Sequence, residues 1–170
     1  MGRAVWAPLG LALWLLAAGG PAWAQGDVEV NKALVRDFYK AIVSNDQGAL
    51  PHFFAQGYQV VDVVPPSAEG GARRPALQPD FRERAEYLHR ALKDIALSIT
   101  DLVAEGDQVA ALVTMSGTQK GEFMGVAPTG RRVSINAFVI FEIRDGRIQK
   151  TTELVDLLGT MRQLGYLKLD

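Results

Sequence analysis

From Val133 to Ile143 the chain alternates. Val133, Ile135, Ala137, Val139, Phe141 and Ile143 share one face, and Ser134, Asn136, Phe138, Ile140 and Glu142 share the other. A period of two over that length predicts a long strand, and apolar groups on both faces predict a central one. Asp145-Gly146 supplies the positive-φ pair of a two-residue hairpin turn. The return strand runs from Arg147 to Val155, and along it Thr152, Leu154 and Asp156 point the same way. Period alone leaves open whether Asp156 looks into a concave pocket or out at its rim.

Upstream, Val30, Leu34, Phe38 and Ile42 recur every four residues, with Ala33, Val35, Ala41 and Val43 widening the stripe. This predicts an amphipathic helix over Val28–Ser44, with Asp27 as its N-cap. Gln47–Phe54 reads as a short second helix, and Tyr58–Val64 as a weakly alternating strand. Pro65–Pro79 holds four prolines and is expected to be a loop, either loose on the surface or a lid over a site. Asp80 then caps a third helix, Phe81–Lys93, packed through Phe81, Ala85, Leu88 and Leu92. Strands over Ile95–Ala104 and Val109–Ser116 follow, and the glycine-bearing stretch Gly117–Gly130 reads as a bulge or an edge crossing. Leu158–Leu164 closes the pattern as a helical turn or two. Helices early and a long antiparallel meander late predict an α+β domain with a curved sheet, its helices on one face.

The N-terminus does not fit that domain. Arg3, the apolar run Val5–Ala18, Gly19-Gly20-Pro21 and Ala22-Trp23-Ala24 follow the order of a secretory signal peptide. The apolar run is short for a membrane span, which needs roughly 20 residues. Residues 1–24 are therefore expected to be a leader and residues 25–170 a single exported domain, periplasmic or secreted, with no stable membrane insertion once the leader is removed. The chain has no cysteine, so neither disulfides nor thiolate chemistry enter. With a formal net charge of −1 and no basic block beyond Arg73-Arg74 and Arg131-Arg132, nucleic acid is not an expected partner. His52 and His89, the chain's two histidines, form no ligand motif with each other or with an acidic residue, so no metal or cofactor is expected. Apolar side chains on both faces of the long strands exceed what helices on one side can cover, which predicts a symmetric homodimer.

Three segments carry a resemblance: NKALVRDFYKAI at Asn31–Ile42, DLVAEGDQVAALVTMSGTQKGEFMGVAPTGRRV at Asp101–Val133, and FEIRDGRIQKTTELVDLLGTMRQLG at Phe141–Gly165. Together they resemble the polyketide-cyclase-like (SnoaL-like) family of the nuclear transport factor 2-like superfamily. The resemblance implies a cone-shaped α+β fold, a strongly curved antiparallel sheet packed against N-terminal helices around an apolar cavity. It also implies a homodimer formed through the sheet's outer face. Some members close rings on aromatic polyketide esters by an intramolecular aldol reaction, with an aspartate of the last strand as general acid/base, and Asp156 holds that place. Where relatives carry a His-Trp pair this chain has Thr151-Thr152, so imidazole chemistry is not expected there. Tyr39, Tyr58, Met115 and Phe123 are candidate cavity linings or plain core, and Gln119, Asn136 and Thr152 are candidate polar groups for a ligand. The expected activity is aldol cyclisation or isomerisation-type proton transfer on a small hydrophobic carbonyl compound. The alternative is a non-enzymatic exported protein that binds a small hydrophobic molecule or serves as a scaffold. If residues 1–24 are a leader, exported material will begin at Gln25, as mass spectrometry of its N-terminal peptide can read; an intact Met1 in membrane-bound protein would refute the leader.

Overall fold

The computed structural model describes residues 23–63 and 80–167, with side chains from residue 28 onward. The expected leader lies outside these residues but for its last two, and the Pro65–Pro79 loop lies wholly outside. Helix α1 spans Trp23–Ser44, so Asp27 falls inside it and is not its cap. The apolar stripe buries Val35, Phe38, Tyr39, Ala41 and Ile42, whereas Val30, two steps of four before Phe38 and so rotated off that face, is 61% exposed. Asn45, with φ +55°, ends the helix, and the Asp46 carboxylate accepts from the Gly48 and Ala49 amides. The expected second helix shrinks to a 3-10 turn, Leu50–Phe53, because Phe54 already belongs to strand β1, Phe54–Asp62.

Helix α2, Phe81–Ala91, starts at Asp80, whose side chain accepts from the Arg82 amide. It passes without a loop into β2, Leu92–Glu105, followed by β3, Gln108–Gln119, β4, Arg132–Arg144, and β5, Arg147–Val155. The β4–β5 turn is the predicted one, with Asp145 at φ +52° and Gly146 at +66°. Helix α3, Leu157–Leu164, ends on Gly165 in the left-handed conformation. The Gln163 side chain accepts from the Ser134 amide and donates to its carbonyl, docking α3 on β4.

The strands form one sheet in the order β1-β5-β4-β3-β2. This corrects the expected cone. The sheet is open, with β1 and β2 as its two edges, and is not strongly curved towards closure. Nor is it wholly antiparallel, since β1 runs parallel to β5, with Val60 opposite Thr151 and Asp62 opposite Glu153. The reason is where the core sits: α1 and α2 cover one face, so apolar area is buried between helices and sheet and closure is not needed. On that face Val109, Ala111 and Val113 of β3 meet Val139, Phe141 and Ile143 of β4. Phe38 stands at the centre, its ring 5.2 Å from Phe81 and 5.9 Å from Phe141 in edge-on contacts. A second cluster, including Leu92, Phe123, Val133 and Leu164, fills the far end beneath the loop between β3 and β4. Among the described residues no element covers Leu112, Phe138, Leu154 and Leu158 of the outer side, which are exposed.

Candidate active site

Between α1, α2 and the inner face of the sheet lies a pocket of about 110 Å³. Its walls include Phe38, Phe81, Leu88, Phe123 and Phe141, and among the described residues its ionisable lining is Tyr39, Arg84 and Glu153. Glu153 reaches it because β5 turns Thr151, Glu153 and Val155 inward, opposite Phe141, Val139 and Ala137 of β4. Arg84 reaches it from the middle of the apolar stripe of α2, between Phe81 and Leu88.

Arg84 and Glu153 form a buried ion pair. One guanidinium nitrogen lies 3.0 Å from Oε1 and 2.8 Å from Oε2 of the carboxylate, and the side chains are only 9% and 5% exposed. The Thr151 hydroxyl donates to Oε1 at 3.0 Å. The Arg84 guanidinium also sits 4.5 Å from the centre of the Phe81 ring, a cation–π contact. Taking two charges out of water is costly, and the pair persists because hydrogen bonds and mutual attraction offset that cost. Burial pushes the Tyr39 phenol well above its ordinary range, the nearby Glu153 carboxylate adds to the shift, and Arg84 opposes both. Tyr39 therefore stays a neutral hydrogen-bond donor at physiological pH.

The residues singled out in the sequence fall in several places. Tyr39, Met115 and Phe123 line the interior pocket. Tyr58 lies outside it, in a surface hollow with Phe54, Asp80 and Arg147, and its hydroxyl accepts from the Phe81 amide at 3.1 Å, helping to start α2. Gln119 is fully buried and spent on its own loop: it donates to the Val126 and Ala127 carbonyls and accepts from the Thr129 amide and hydroxyl. Asn136 is on the outer face, accepting from the Thr114 hydroxyl. Thr152 is also outward, opposite Ile140. Asp156 is exposed, and its carboxylate accepts from the Gly159 amide at 2.8 Å as the N-cap of α3. It borders an outer groove with Leu112, Phe138 and Leu158 rather than the interior pocket. His52 is exposed, and His89 Nε2 donates to the Ile42 carbonyl at 2.8 Å. No group of three or more potential metal ligands occurs among the described residues, and no helix among them is long and apolar enough to cross a membrane.

Arg84 and Glu153 escape the sequence reading, and Thr151 enters it only as one of the two positions where relatives carry a His-Trp pair. A signal exists for Arg84, a charge in the middle of an otherwise apolar helical stripe. For Glu153 the signal is weaker, a carboxylate in phase with Val155 on the opposite parity from Asp156.

Helices laid over one face of a mixed sheet, with a small pocket between them, define a domain of the nuclear transport factor 2-like type. Residues 33–164 match the family of SnoaL-like polyketide cyclases, and the chain belongs to that family. TsrD from Streptomyces laurentii has a similar structure, with a TM-score of 0.68 and 32% identity over 82% of this chain and 97% of that one. IdmH from Streptomyces antibioticus superposes with a TM-score of 0.64 and 29% identity, covering 79% of this chain and 98% of that one. The aklanonic acid methyl ester cyclase AcmA of Streptomyces galilaeus is 39% identical over 59 residues, 35% of this chain and 41% of that protein. In that comparison the chain spans less than half the length of the relative it matches.

The ion pair makes a direct prediction about stability. Arg84→Met alone leaves the Glu153 carboxylate buried without its cation and will cost about 3–5 kcal/mol in urea unfolding. The double variant Arg84→Met/Glu153→Leu will recover most of that loss. A double variant less stable than Arg84→Met would show that the two side chains are not coupled.

Proposed function

We propose that the chain is an enzyme of the cyclase type, holding a small hydrophobic carbonyl compound in the interior pocket and moving a proton beside its carbonyl group. One observation carries the reading: an apolar wall is interrupted by the Arg84–Glu153 pair next to Tyr39. A carboxylate set among apolar groups is suited to take an α-proton and later return it. In this scheme Glu153 accepts the α-proton, and the electron pair of the broken C–H bond passes into the enolate. The enolate carbon attacks a second carbonyl of the same molecule, and the proton on Glu153 returns to the resulting alkoxide. Isomerisation shares the first step and returns the proton to a different carbon. Arg84 holds the carboxylate in place, and its charge offsets the negative charge that builds on the enolate. Kinship with the SnoaL-like polyketide cyclases and the similarity to AcmA support the reaction class.

Asp156 is the rival acid/base, but its bond to the Gly159 amide supports a capping role instead. A second reading also has an observation in its favour. Both Glu153 oxygens are already engaged, by Arg84 and Thr151, as in a purely structural pair, so a non-enzymatic exported binding protein would look similar. A panel of aromatic esters and small ketones separates the two. Glu153→Gln will lower turnover by about 100-fold or more while Asp156→Asn changes it little. Loss of turnover in Asp156→Asn alone would move the chemistry to the outer groove, and uptake of ligand without product in all three proteins would favour the binder.

The outer face supports a further part of the proposal, a symmetric homodimer. Leu112, Phe138, Leu154 and Leu158 gather there around the Asp156 groove, a contiguous apolar patch of the kind that interfaces cover. Sedimentation at tens of micromolar will give a dimer, and Phe138→Asp will shift it to monomer; a monomeric wild-type protein contradicts the assembly.

A further inference from the structure

The Glu153 carboxylate is held at two points of unequal kind. Arg84 reaches it through a single guanidinium nitrogen, 3.0 Å from Oε1 and 2.8 Å from Oε2. One nitrogen bridging both oxygens is a pivot, unlike the two-nitrogen fork that fixes the plane of a carboxylate. The last torsion of a glutamate is broad, so the pivot by itself leaves the carboxylate free to turn. The second point is the Thr151 hydroxyl, which donates to Oε1 at 3.0 Å.

Thr151 is suited to stop that turning. It is fully buried, and β5 is paired on both sides there, with Phe141 of β4 and Val60 of β1 opposite it. The backbone is thereby fixed, and the branched Cβ restricts rotation of the side chain. Glu153 stands two residues along on the same face, within reach of the hydroxyl. A carboxylate offers about four lone-pair sites, two on each oxygen. Among the described residues the Arg84 nitrogen takes one site on each oxygen and Thr151 takes the second on Oε1, which leaves one on Oε2.

We infer that Thr151 is a positioning residue that locks Oε1 of Glu153 and leaves Oε2 as the oxygen that takes and returns the substrate proton. The inference rests on the proton-transfer reading of the same pocket. Thr151 exchanges no proton with the substrate. Its O–H stays on Oε1 while the α-proton goes to Oε2 and the C–H electron pair passes into the enolate. Orientation matters because the transfer needs the accepting oxygen aligned with the C–H bond, and a carboxylate free to turn spends less time there.

The test uses the full chain and follows α-hydrogen exchange of cyclohexanone and of acetophenone in D2O by NMR, over a range of ketone concentrations. Thr151→Val keeps the shape of the side chain and removes the hydroxyl; it will lower kcat about tenfold and leave KM within about twofold. Thr151→Ser and Thr151→Ala repeat the comparison with a smaller side chain and differ from each other only in the oxygen. Ser will keep most of the rate, and Ala will lose it. Melting temperatures are read on the same samples. Exchange in Thr151→Val and Thr151→Ala as fast as in their hydroxyl-bearing counterparts, or faster, would overturn the inference. So would rates that follow the melting temperature and not the hydroxyl. Glu153→Gln judges the underlying reading: wild-type exchange no faster than in that variant, for either ketone, removes the proton-transfer reading and this inference with it. Exchange that needs Glu153 but not the Thr151 hydroxyl removes the inference alone.

Discussion

A one-residue slip between two strands decides what this protein can do. Along β4 and β5, Ile143 pairs with Ile148, but the next paired position has Glu142 opposite Lys150. Gln149 is the residue left over. An extra residue on one strand reverses the facing of everything beyond it. Past the slip, Thr151, Glu153 and Val155 face the helices, and Thr152 and Leu154 face away. Had the strands paired without it, the parity of Ile148 would have carried Lys150, Thr152 and Leu154 inward and left Glu153 on the surface.

A carboxylate turned into an apolar layer needs a partner, and the helix register supplies one. The Asp80 cap and the Tyr58 hydroxyl fix where α2 begins, and that start sets Arg84 on the same stripe as Phe81, Ala85 and Leu88. Arg84 then meets Glu153 across the pocket, steadied by the Phe81 ring. The two ends of the interaction come from residues 69 positions apart, so neither means much without the other. The slip, the cap and the pair thus act as one constraint, and the polar end of the pocket is its product.

The two faces of the sheet consequently take different roles. The inner face holds the aromatic core and the buried ion pair, while the outer face carries exposed apolar side chains around Asp156. Asp156 itself serves the backbone. A Cβ at Gly159 would meet its carboxylate, so a side chain there would make Asp156 shift. The slip therefore separates two acidic residues, three positions apart in the chain, into one facing the pocket and one capping a helix at the rim.

Much of the fold is legible in the sequence by itself. Strands β3 and β4 keep an unbroken period of two, α1 and α2 keep a period close to four, and Asp145-Gly146 and Asp80 mark a turn and a helix start by local stereochemistry alone. Those signals depend on neighbours in the chain, and they determine the α+β class, the hairpin and the apolar faces; the three quoted segments add the family. Other features needed the tertiary structure. The parallel pairing of β1 with β5 and the open, weakly curved sheet depend on where distant strands meet. Gln119 looks like a ligand group until the loop at Val126–Thr129 folds back on it. Tyr39 is either core or site until the fold places it in the pocket wall. Glu153 reads as an ordinary charge, and the buried partner of Arg84 goes unnamed, because a period of two states only that alternate residues share a face, never which face is buried. That choice rests on the slip at Gln149, which exists only once β4 and β5 are paired.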